Sequence, residues 1–392
     1  MRLLYTSDAD LSRPSAERTH ITEIVNGLAA EGFAVHLTAL MRRPYPTLHE
    51  AVELHGILPI INRIPFAIIS RRVQRFQATR MVESILVKKR IEVAYERQGC
   101  DLVLTPAKRL GIPVVMEING VPSLEHEVSL NEEERKRIDE DWVSTFRSAE
   151  GIVAVSSGIR ELLIGLGVNG TRIKVISNGV NMDTFHPMSR SECRKAVGIP
   201  ENARVAIFIG NFRPYHNLEL LIRGVGKIAR QVPEFLLVLV GDSIGQGGLA
   251  HRPTIEDLNK ITIDEGIQSH VRFVGRLDQS HLPVYLNAAD IGISLSNAPG
   301  SPIKNAEYMA CGLPIVCSMT NAPDLENEKA GIAVELNECQ VSDVVVWLLS
   351  NDQIREEMGA AALSMARTKL TWQVKSRETS DSLRDVVSDA YA

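Results

Sequence analysis

This chain of 392 residues has few of the features that mark membrane-embedded, secreted or fibrous proteins. It contains no uninterrupted run of the about 20 apolar residues that a membrane-spanning helix needs, and its first residues turn polar too early for a signal peptide. The five cysteines form no C-x-x-C pair, so neither a disulfide framework nor a cysteine zinc site is expected. Internal repeats and low-complexity tracts are also absent. We therefore expect a globular protein of a reducing cytoplasm.

Charge of one sign does not dominate either. The 43 basic and 48 acidic residues give a net charge of -5, which argues against a nucleic-acid partner. This average conceals a basic segment, Arg63 to Arg90, with eight basic residues and one acidic residue. Its pattern predicts a basic amphipathic helix, which either contacts an anionic membrane surface or packs on the protein core. The apolar residues at near-helical spacing are Val73, Phe76, Met81, Val82, Ile85 and Leu86.

What the chain does contain is an alternation of short β-branched runs with segments of helical period, the pattern of βαβ units around a parallel sheet. The pattern stops and restarts at residues 185–191, so we predict two doubly wound α/β domains, 1–187 and 188–372. The predicted strands are 3–5, 35–39, 93–96, 114–117, 152–155 and 173–176 in the first half, and 205–209, 236–240, 271–274, 291–295 and 315–317 in the second.

The segment with the clearest chemistry runs from Gly300 to Val316. Ser301 is a suitable N-cap and Pro302 suits the first helical position. The free N–H groups of a helix start attract phosphate or sugar hydroxyls, and Glu307 follows Lys304 by one helical turn. The alternative is an ordinary capped helix with an exposed ion pair.

A second polar turn, residues 208–217, follows a predicted strand and precedes a helix. Arg213 and His216 at its mouth would supply cations for a diphosphate leaving group. If His216 acts in the protonated form, activity should fall above pH about 7. The alternative is a surface turn.

The string from Gly300 to Val316 resembles the S-P-x-K-x-x-E-Y-M-A-x-G-x-P-x-V signature of the retaining glycosyltransferases of family 4, or group 1. The passage from Ile176 to Pro187 is similar to the family's N-G-V-D-x-x-x-F-x-P, and Ala289-Asp290 and Leu370 to Trp372 also match. The resemblance implies the GT-B architecture: two Rossmann-like domains facing a central cleft, with a final helix of about 373–392 packed back on the first domain. It further implies transfer of a hexose from a UDP- or GDP-sugar to a glycan or lipid-linked acceptor, without another cofactor.

The same resemblance suggests roles for individual residues. Glu307 would bind the nucleotide ribose, and the loop before it would contact the donor sugar and phosphates. Arg213, His216 and Lys304 would balance the leaving diphosphate as the catalytic group. The chain departs from the family at Asn211, which replaces an arginine, and at Pro299, which replaces a glutamate. The expected donor-binding set is Gly210, Asn211, Gly241, Asp242, Gly300, Ser301, Pro302, Ile303 and Glu307.

Residues at strand ends in the first half are expected on the acceptor side. Tyr95-Glu96-Arg97 and Glu117-Ile118-Asn119 bring carboxylates and polar groups there, with Glu125 nearby. A salt bridge between Glu117 and Arg97 is the structural alternative. The loop 12–20 lacks the family's paired glycines, and its His20 is either a surface histidine or an acceptor contact. The acceptor-side set is His20, Arg97, Glu117 and Asn119.

Three other interpretations of the sequence are weaker. Asp8-Ala9-Asp10 imitates a D-x-D metal motif without its context, so no metal requirement is predicted. The glycine-rich loop that begins at Gly241 lacks the G-x-G-x-x-G spacing of dinucleotide-binding enzymes. A nonenzymatic GT-B scaffold, or an epimerase or phosphorylase of this architecture, remains an alternative to the transferase.

Overall fold

The computed structural model describes residues 1–12, 14–40, 44–57, 67–98, 100–124, 130–242, 253–321 and 329–392, and the side chains of residues 67–74 are outside this description. The chain divides into two compact units. The first comprises residues 1–120, 136–178 and 372–392, and the second comprises 121–135 and 179–371. The division near the middle follows Asn178, and the last helix is part of the first unit.

The first unit is built on a parallel sheet of seven strands in the order β3-β2-β1-β4-β5-β6-β7. The chain leaves β1 first toward one side and, after β3, returns to the other, so the sheet has a switch point between β1 and β4. The strands are β1 Arg2–Thr6, β2 Ala34–Leu40, β3 Val52–Ile57, β4 Val93–Arg97, β5 Val114–Ile118, β6 Gly151–Ala154 and β7 Ile173–Val175.

Helices flank this sheet because each has an apolar stripe to bury. The Ser15 side chain caps the first helix by accepting the Arg18 N–H at 3.0 Å, so the helix begins at Ala16, within the loop predicted over residues 12–20. The loop after β1 is correspondingly shorter than predicted. The helices of the first half are α1 Ala16–Ala30, α2 Ala67–Lys88, α3 Leu104–Arg109, α4 Glu132–Phe146 and α5 Ser157–Gly165.

The second unit repeats the arrangement with six parallel strands in the order β10-β9-β8-β11-β12-β13. Its switch point therefore lies between β8 and β11. The strands are β8 Arg204–Ile209, β9 Phe235–Val240, β10 Val271–Gly275, β11 Ile291–Ser294, β12 Ile315–Ser318 and β13 Gly331–Val334. The helices are α6 Arg190–Val197, α7 Leu218–Gln231, α8 Ile255–Asp264, α9 Leu282–Ala288, α10 Ile303–Ala310, α11 Glu338–Ser350 and α12 Asp352–Lys369, and α13 Trp372–Tyr391 returns to the first unit.

The sequence pattern did not predict β3 and β13, and both are edge strands. Central strands such as β8 and β9 are buried on both faces and read as continuous apolar runs. An edge strand has fewer apolar positions: β3 contains Glu53, His55 and Gly56 and is largely half-buried. Among the described residues, no helix is both long enough and apolar enough to span a membrane.

Candidate active site

The best-developed site of the second unit lies at the switch point of its sheet, where loops leave the carboxyl ends of β8 and β11. Ligands of doubly wound domains bind at such points. Two hydrogen bonds join the loops: the Asn217 side-chain amide donates to the Leu295 carbonyl at 2.8 Å, and the Asn297 N–H donates to the Tyr215 carbonyl at 3.1 Å. The two polar segments predicted from sequence therefore lie together.

Gly210 and Gly241 bring the loops after β8 and β9 into contact. Both have positive φ, +142° and +137°, and a Cβ on Gly241 would lie 1.8 Å from the Gly210 carbonyl oxygen. The Phe212 N–H donates to the Asp242 carbonyl at 2.9 Å and extends the contact. Glycine is needed at Gly241 because any side chain would collide with this backbone. The rest of the predicted glycine-rich loop, residues 243–250, lies outside the described residues.

Helix α10 begins one residue later than the sequence suggested. Pro302 is its N-cap and Ile303 its first residue, and the Pro302 side chain makes no capping hydrogen bond. The prediction that Ser301 is the N-cap is therefore wrong: proline at the cap position shifts the start by one residue, and the Pro302 carbonyl accepts the Asn305 N–H at 2.9 Å. The half-buried residues from Gly300 to Ile303 lead into this helix start.

A buried tyrosine anchors α10 to the switch point. The Tyr308 hydroxyl accepts the Ile209 N–H at 2.9 Å and donates to the Ile293 carbonyl at 3.3 Å, so it links the ends of β8 and β11. Gly292 makes room for its ring, because a Cβ there would lie 2.6 Å from the Tyr308 ring. These contacts hold Lys304 and Glu307 in place on the adjoining turn.

Lys304 and Glu307 are both buried on α10, with 7% and 6% of their surface exposed. Burial lowers the pKa of Lys304 to about 7, against the attraction of Glu307. Burial likewise raises the pKa of Glu307 to about 7, opposed by a 3.4 Å hydrogen bond from the Gln279 amide and by Lys304. Within the described part of the chain, the Lys304 ammonium nitrogen has no hydrogen-bond partner. A buried, unpartnered cation is costly, and an anionic ligand would remove that cost.

Phe208 connects Lys304 with His216. The Lys304 nitrogen lies 4.0 Å from the centroid of the Phe208 ring, within the range of a cation–π contact, and 3.8 Å from the position of a Cβ on Gly210. The edge of the His216 ring meets the same phenyl ring, with centroids 5.3 Å apart. Sequence reasoning missed Phe208, because an apolar residue at the end of a strand looks like core.

The surroundings of His216 disfavour its protonated form. Its burial, together with the nearby Lys304 and Arg213 charges, lowers its pKa well below the usual range. This direction argues against the fall in activity above pH about 7 through a protonated His216, which stays a prediction. Arg213 is half-buried and its guanidinium lies 6.0 Å from the Tyr215 ring, whereas Asn211 is exposed. Lys304 and Arg213 remain as the cations of this site.

In the first unit, the predicted acceptor-side residues converge on Glu117. The His20 ring contacts its carboxylate at 2.9 Å and the Tyr95 hydroxyl donates to it at 2.7 Å, while the Arg97 Nε lies 3.7 Å away. Burial alone would raise the pKa of Glu117, but His20, Arg97 and Tyr95 outweigh it and lower that pKa to about 2. Glu117 is therefore a carboxylate at every physiological pH.

One of the structural alternatives for this region needs correction. His20 is not a surface histidine: it is buried in α1, its Nδ1 lies 2.7 Å from the Asn178 side-chain oxygen, and its ring packs edge-on against Trp372. The salt bridge between Arg97 and Glu117 is present at 3.7 Å, and Arg97 makes a second, shorter one of 2.7 Å to Glu17. These partners come from distant parts of the chain, which the local sequence pattern does not reveal.

The remaining acceptor-side residues are less well connected. The Asn119 N–H donates to the Gln98 side chain at 2.9 Å, while its own buried amide nitrogen lacks a partner in the described ranges. Glu125 lies outside the described residues. In the segment Asp8-Ala9-Asp10, which resembles a D-x-D motif, the Asp10 carboxylate accepts the Ser12 N–H at 3.0 Å and so closes a local turn.

The basic segment Arg63 to Arg90 is only partly described, from residue 67 onward. Within α2, Val82, Ile85 and Leu86 are buried, as expected of a helix packed on the core. Phe76 is 62% exposed, and the Arg80 guanidinium lies 5.3 Å from its ring.

Comparison with known proteins assigns the family. Residues 18–184 match the family described as Glycosyltransferase Family 4, and residues 189–365 match the family described as Glycosyl transferases group 1. The chain belongs to the group 1, family 4 glycosyltransferases. This glycosyltransferase is 26% identical over 290 residues to the D-inositol 3-phosphate glycosyltransferase of Nocardioides sp., covering 70% of this chain and 63%, less than two thirds, of that relative. The enzyme of the same name from Thermomonospora curvata is 24% identical over 397 residues, covering 95% of this chain and 90% of the relative.

Solved structures of similar glycosyltransferases share the fold. Sucrose-phosphate synthase from Thermosynechococcus elongatus superposes with a TM-score of 0.76 at 16% identity, covering 99% of both chains. Anabaena Alr3699/HepE, in complex with UDP and glucose, gives a TM-score of 0.75 at 16% identity, covering 98% of this chain and 100% of that one. The predicted α/β fold class with two Rossmann-like GT-B domains is thereby confirmed.

Proposed function

We propose that this glycosyltransferase moves a hexose from a UDP-sugar to an acceptor hydroxyl with retention of the anomeric configuration. The observation that carries the proposal is the buried Lys304–Glu307 pair at the start of α10, with its unpartnered ammonium group beside Gly210. Binding of UDP and glucose by the structural relative Alr3699/HepE supports UDP over GDP.

The proposed chemistry uses the two groups of α10 differently. The bond between the anomeric carbon and the diphosphate oxygen breaks, the acceptor oxygen bonds to that carbon, and the acceptor proton is released. Negative charge then grows on the diphosphate, where Lys304 and Arg213 stabilise it. Glu307 accepts hydrogen bonds from the ribose hydroxyls, and the backbone N–H groups at the start of α10 hold the phosphates or sugar.

For the acceptor, we propose a glycan or lipid-linked alcohol that is held by the first unit. Glu117 is an ordered carboxylate there, and Asn119 has an unused amide donor in the described residues. The curated relatives are named for an inositol phosphate acceptor. A phosphorylated polyol is therefore the first soluble acceptor to test.

Calorimetry with UDP tests the donor site directly. We expect Glu307→Ala to weaken UDP binding by about 1–3 kcal/mol, because the ribose hydroxyls lose their acceptor. Glu265→Gln is the control, since Glu265 is an exposed glutamate of the same unit that is paired with Arg223. Unchanged affinity in Glu307→Ala, with correct folding by circular dichroism, would remove Glu307 from the site.

Product analysis separates the transferase from its alternatives. Incubation with UDP-glucose and candidate acceptors, followed by NMR of the new glycosidic linkage, should give a product with the anomeric configuration of the donor. Turnover without acceptor would indicate an epimerase, and turnover with orthophosphate a phosphorylase. Nucleotide binding without any turnover would favour a nonenzymatic scaffold.

We further propose a cytoplasmic location with peripheral contact to an anionic membrane through α2. All five cysteines are free thiols, four of them buried, which suits a reducing compartment. Phe76 and Val87 on α2 are 62% and 60% exposed beside basic residues. Sedimentation with vesicles of phosphatidylglycerol and phosphatidylcholine should decrease for Phe76→Ser and Arg80→Gln but not for the exposed control Lys136→Gln; equal binding by all three variants would exclude this surface.

A further inference from the structure

The edge of the first sheet brings together three side chains that have metal-ligand chemistry. His36 lies on β2, and Glu53 and His55 lie on the adjoining edge strand β3. In the parallel register, His36 is opposite Glu53, and Thr38 is opposite His55. Because alternate residues of a strand point to the same face, Glu53 and His55 lie on the same face of the sheet, where both can contact His36.

The distances among these three donor atoms are those expected when side chains bind one metal ion. The His36 Nδ1 lies 3.1 Å from the His55 Nε2 and 3.3 Å from a Glu53 carboxylate oxygen, and the same His55 nitrogen lies 3.7 Å from the Glu53 carboxylate. Tetrahedral ligands at the usual zinc distances stand about 3.3–3.4 Å apart. The three observed separations scatter around this value.

His36 Nδ1 and His55 Nε2 each lie close both to the other ring nitrogen and to the Glu53 carboxylate. A hydrogen bond between two neutral imidazoles explains the 3.1 Å separation, but it does not by itself explain why both ring nitrogens also lie within 3.7 Å of the Glu53 carboxylate. A single divalent cation in the centre of the triangle satisfies all three groups at once. Imidazole nitrogens with one carboxylate suit zinc and its neighbours in the first transition row, whereas magnesium and calcium prefer all-oxygen sites.

The surroundings are compatible with a cation. The His36 side chain is 9% exposed and the His55 side chain 16%, so the two rings are held in place, while the 50% exposed Glu53 leaves an entry from solvent. The Lys89 ammonium donates to both Glu53 oxygens at 2.8 Å and orients the carboxylate. Since a carboxylate offers about four lone-pair sites, Glu53 can accept hydrogen bonds from Lys89 and bind a metal at the same time.

We propose that His36, Glu53 and His55 form a zinc site that fastens edge strand β3 to β2. Three protein ligands leave one coordination position, which water would fill. The His36–Glu53 register lies near the amino ends of both strands, away from the carboxyl ends where the acceptor-side residues are found. The proposed metal is therefore structural, and the inference is independent of the proposed transferase reaction.

Zinc titration of the full-length protein tests this site. The protein is treated with a chelator, exchanged into chelator-free buffer and titrated with zinc in a calorimeter. We expect one equivalent to bind, and His36→Gln and His55→Gln each to weaken the binding by about tenfold or more. His49→Gln is the control, because His49 is an exposed histidine in the loop between the same two strands, and it should bind like the unaltered protein.

Two further measurements keep the test decisive if a histidine variant folds poorly. X-ray absorption of the zinc-loaded, unaltered protein should show two nitrogen neighbours at about 2.0–2.1 Å. Hydrogen exchange of residues 52–57 should slow when zinc is added, because the metal would hold β3 in place. No binding at millimolar zinc, or equal affinity in the histidine variants and His49→Gln, would overturn the proposal.

Discussion

Glu117 in the first unit and Glu307 in the second are buried to a similar extent, with 1% and 6% of their surface exposed. Their pKa values nevertheless move in opposite directions. The pKa of Glu117 falls to about 2, because His20, Arg97 and Tyr95 outweigh the cost of burial. The pKa of Glu307 rises to about 7, because burial outweighs one long hydrogen bond and Lys304.

This difference separates a buried carboxylate that its neighbours stabilise from one that they do not. Around Glu117, the His20, Arg97 and Tyr95 side chains together outweigh the cost of burying the charge. Around Glu307, the protein supplies a lysine whose own pKa is lowered to about 7, and under the proposed function both groups gain when a diphosphate and a ribose arrive. The first region is therefore expected to contribute stability, and the second to sacrifice stability for binding.

The largest effect should follow from removing the Glu117 carboxylate. Glu117→Gln takes away the anion that His20 contacts and one of the two anions beside Arg97, and we expect the free energy of unfolding of the first unit to fall by about 3–5 kcal/mol. Because the folded pKa of about 2 lies below the ordinary 4.5, this contribution is present above pH 4.5 and is lost as the pH falls through about 2.

Urea unfolding, with hydrogen exchange to resolve the first unit, measures this change. Glu161→Gln, an exposed glutamate of the same unit, should stay within about 0.5 kcal/mol of the unaltered protein. Equal stability of the two variants would mean that the partners of Glu117 do not stabilise the fold.

A change at the loops of the second unit should have the next largest effect. Gly241→Ala places a Cβ 1.8 Å from the Gly210 carbonyl oxygen at a positive φ, so we expect a stability loss of about 3 kcal/mol together with weaker UDP binding. Gly266→Ala has a positive φ of +66° but open space around it, so it should cost only the backbone strain of about 1–2 kcal/mol. Thermal unfolding of both variants compares the steric collision at residue 241 with the backbone strain at residue 266. Equal losses of stability would show that the contact between the two loops is unimportant.

Removing the buried Lys304–Glu307 pair should increase stability instead of lowering it. In Lys304→Met/Glu307→Gln, two buried ionisable groups become neutral ones of similar size, and we expect the second unit to gain about 1–3 kcal/mol in stability while UDP binding is lost. Lys227→Met/Glu265→Gln alters a half-buried lysine and an exposed glutamate of the same unit as the control. A destabilised Lys304→Met/Glu307→Gln variant with intact UDP binding would contradict the comparison.

The smallest effect is a pH dependence of binding. Since the pKa of Lys304 is about 7 in the free protein, the lysine loses its proton as the pH rises above that value, and UDP affinity should fall by at most about tenfold per pH unit. The slope should persist in Glu307→Gln and disappear in Lys304→Met. Calorimetry between pH about 7.5 and 8.5 measures it; a parallel slope in Lys304→Met would assign the titration to another group.

Periodicity predicted the central strands because each is an apolar run buried on both faces. It missed two edge strands: β3, which contains Glu53 and His55, and β13, which is only four residues long. It also placed the start of α10 at Pro302 instead of Ile303, and one of its two alternatives made the buried His20 a surface residue. Each of these errors concerns a residue whose environment is set by distant segments, such as Asn178 and Trp372 for His20.

The sequence by itself determined the two doubly wound halves and the family, because strand and helix periods and the order of motifs depend only on residues that are close in sequence. Only the tertiary structure decided which buried groups are satisfied. Glu117 gains His20 from 97 positions earlier in the chain, whereas Lys304 meets the Phe208 ring and no hydrogen-bonding partner among the described residues. Hydrogen bonds and charge pairs act over a few ångströms in space, so their balance emerges only when the fold brings distant segments together.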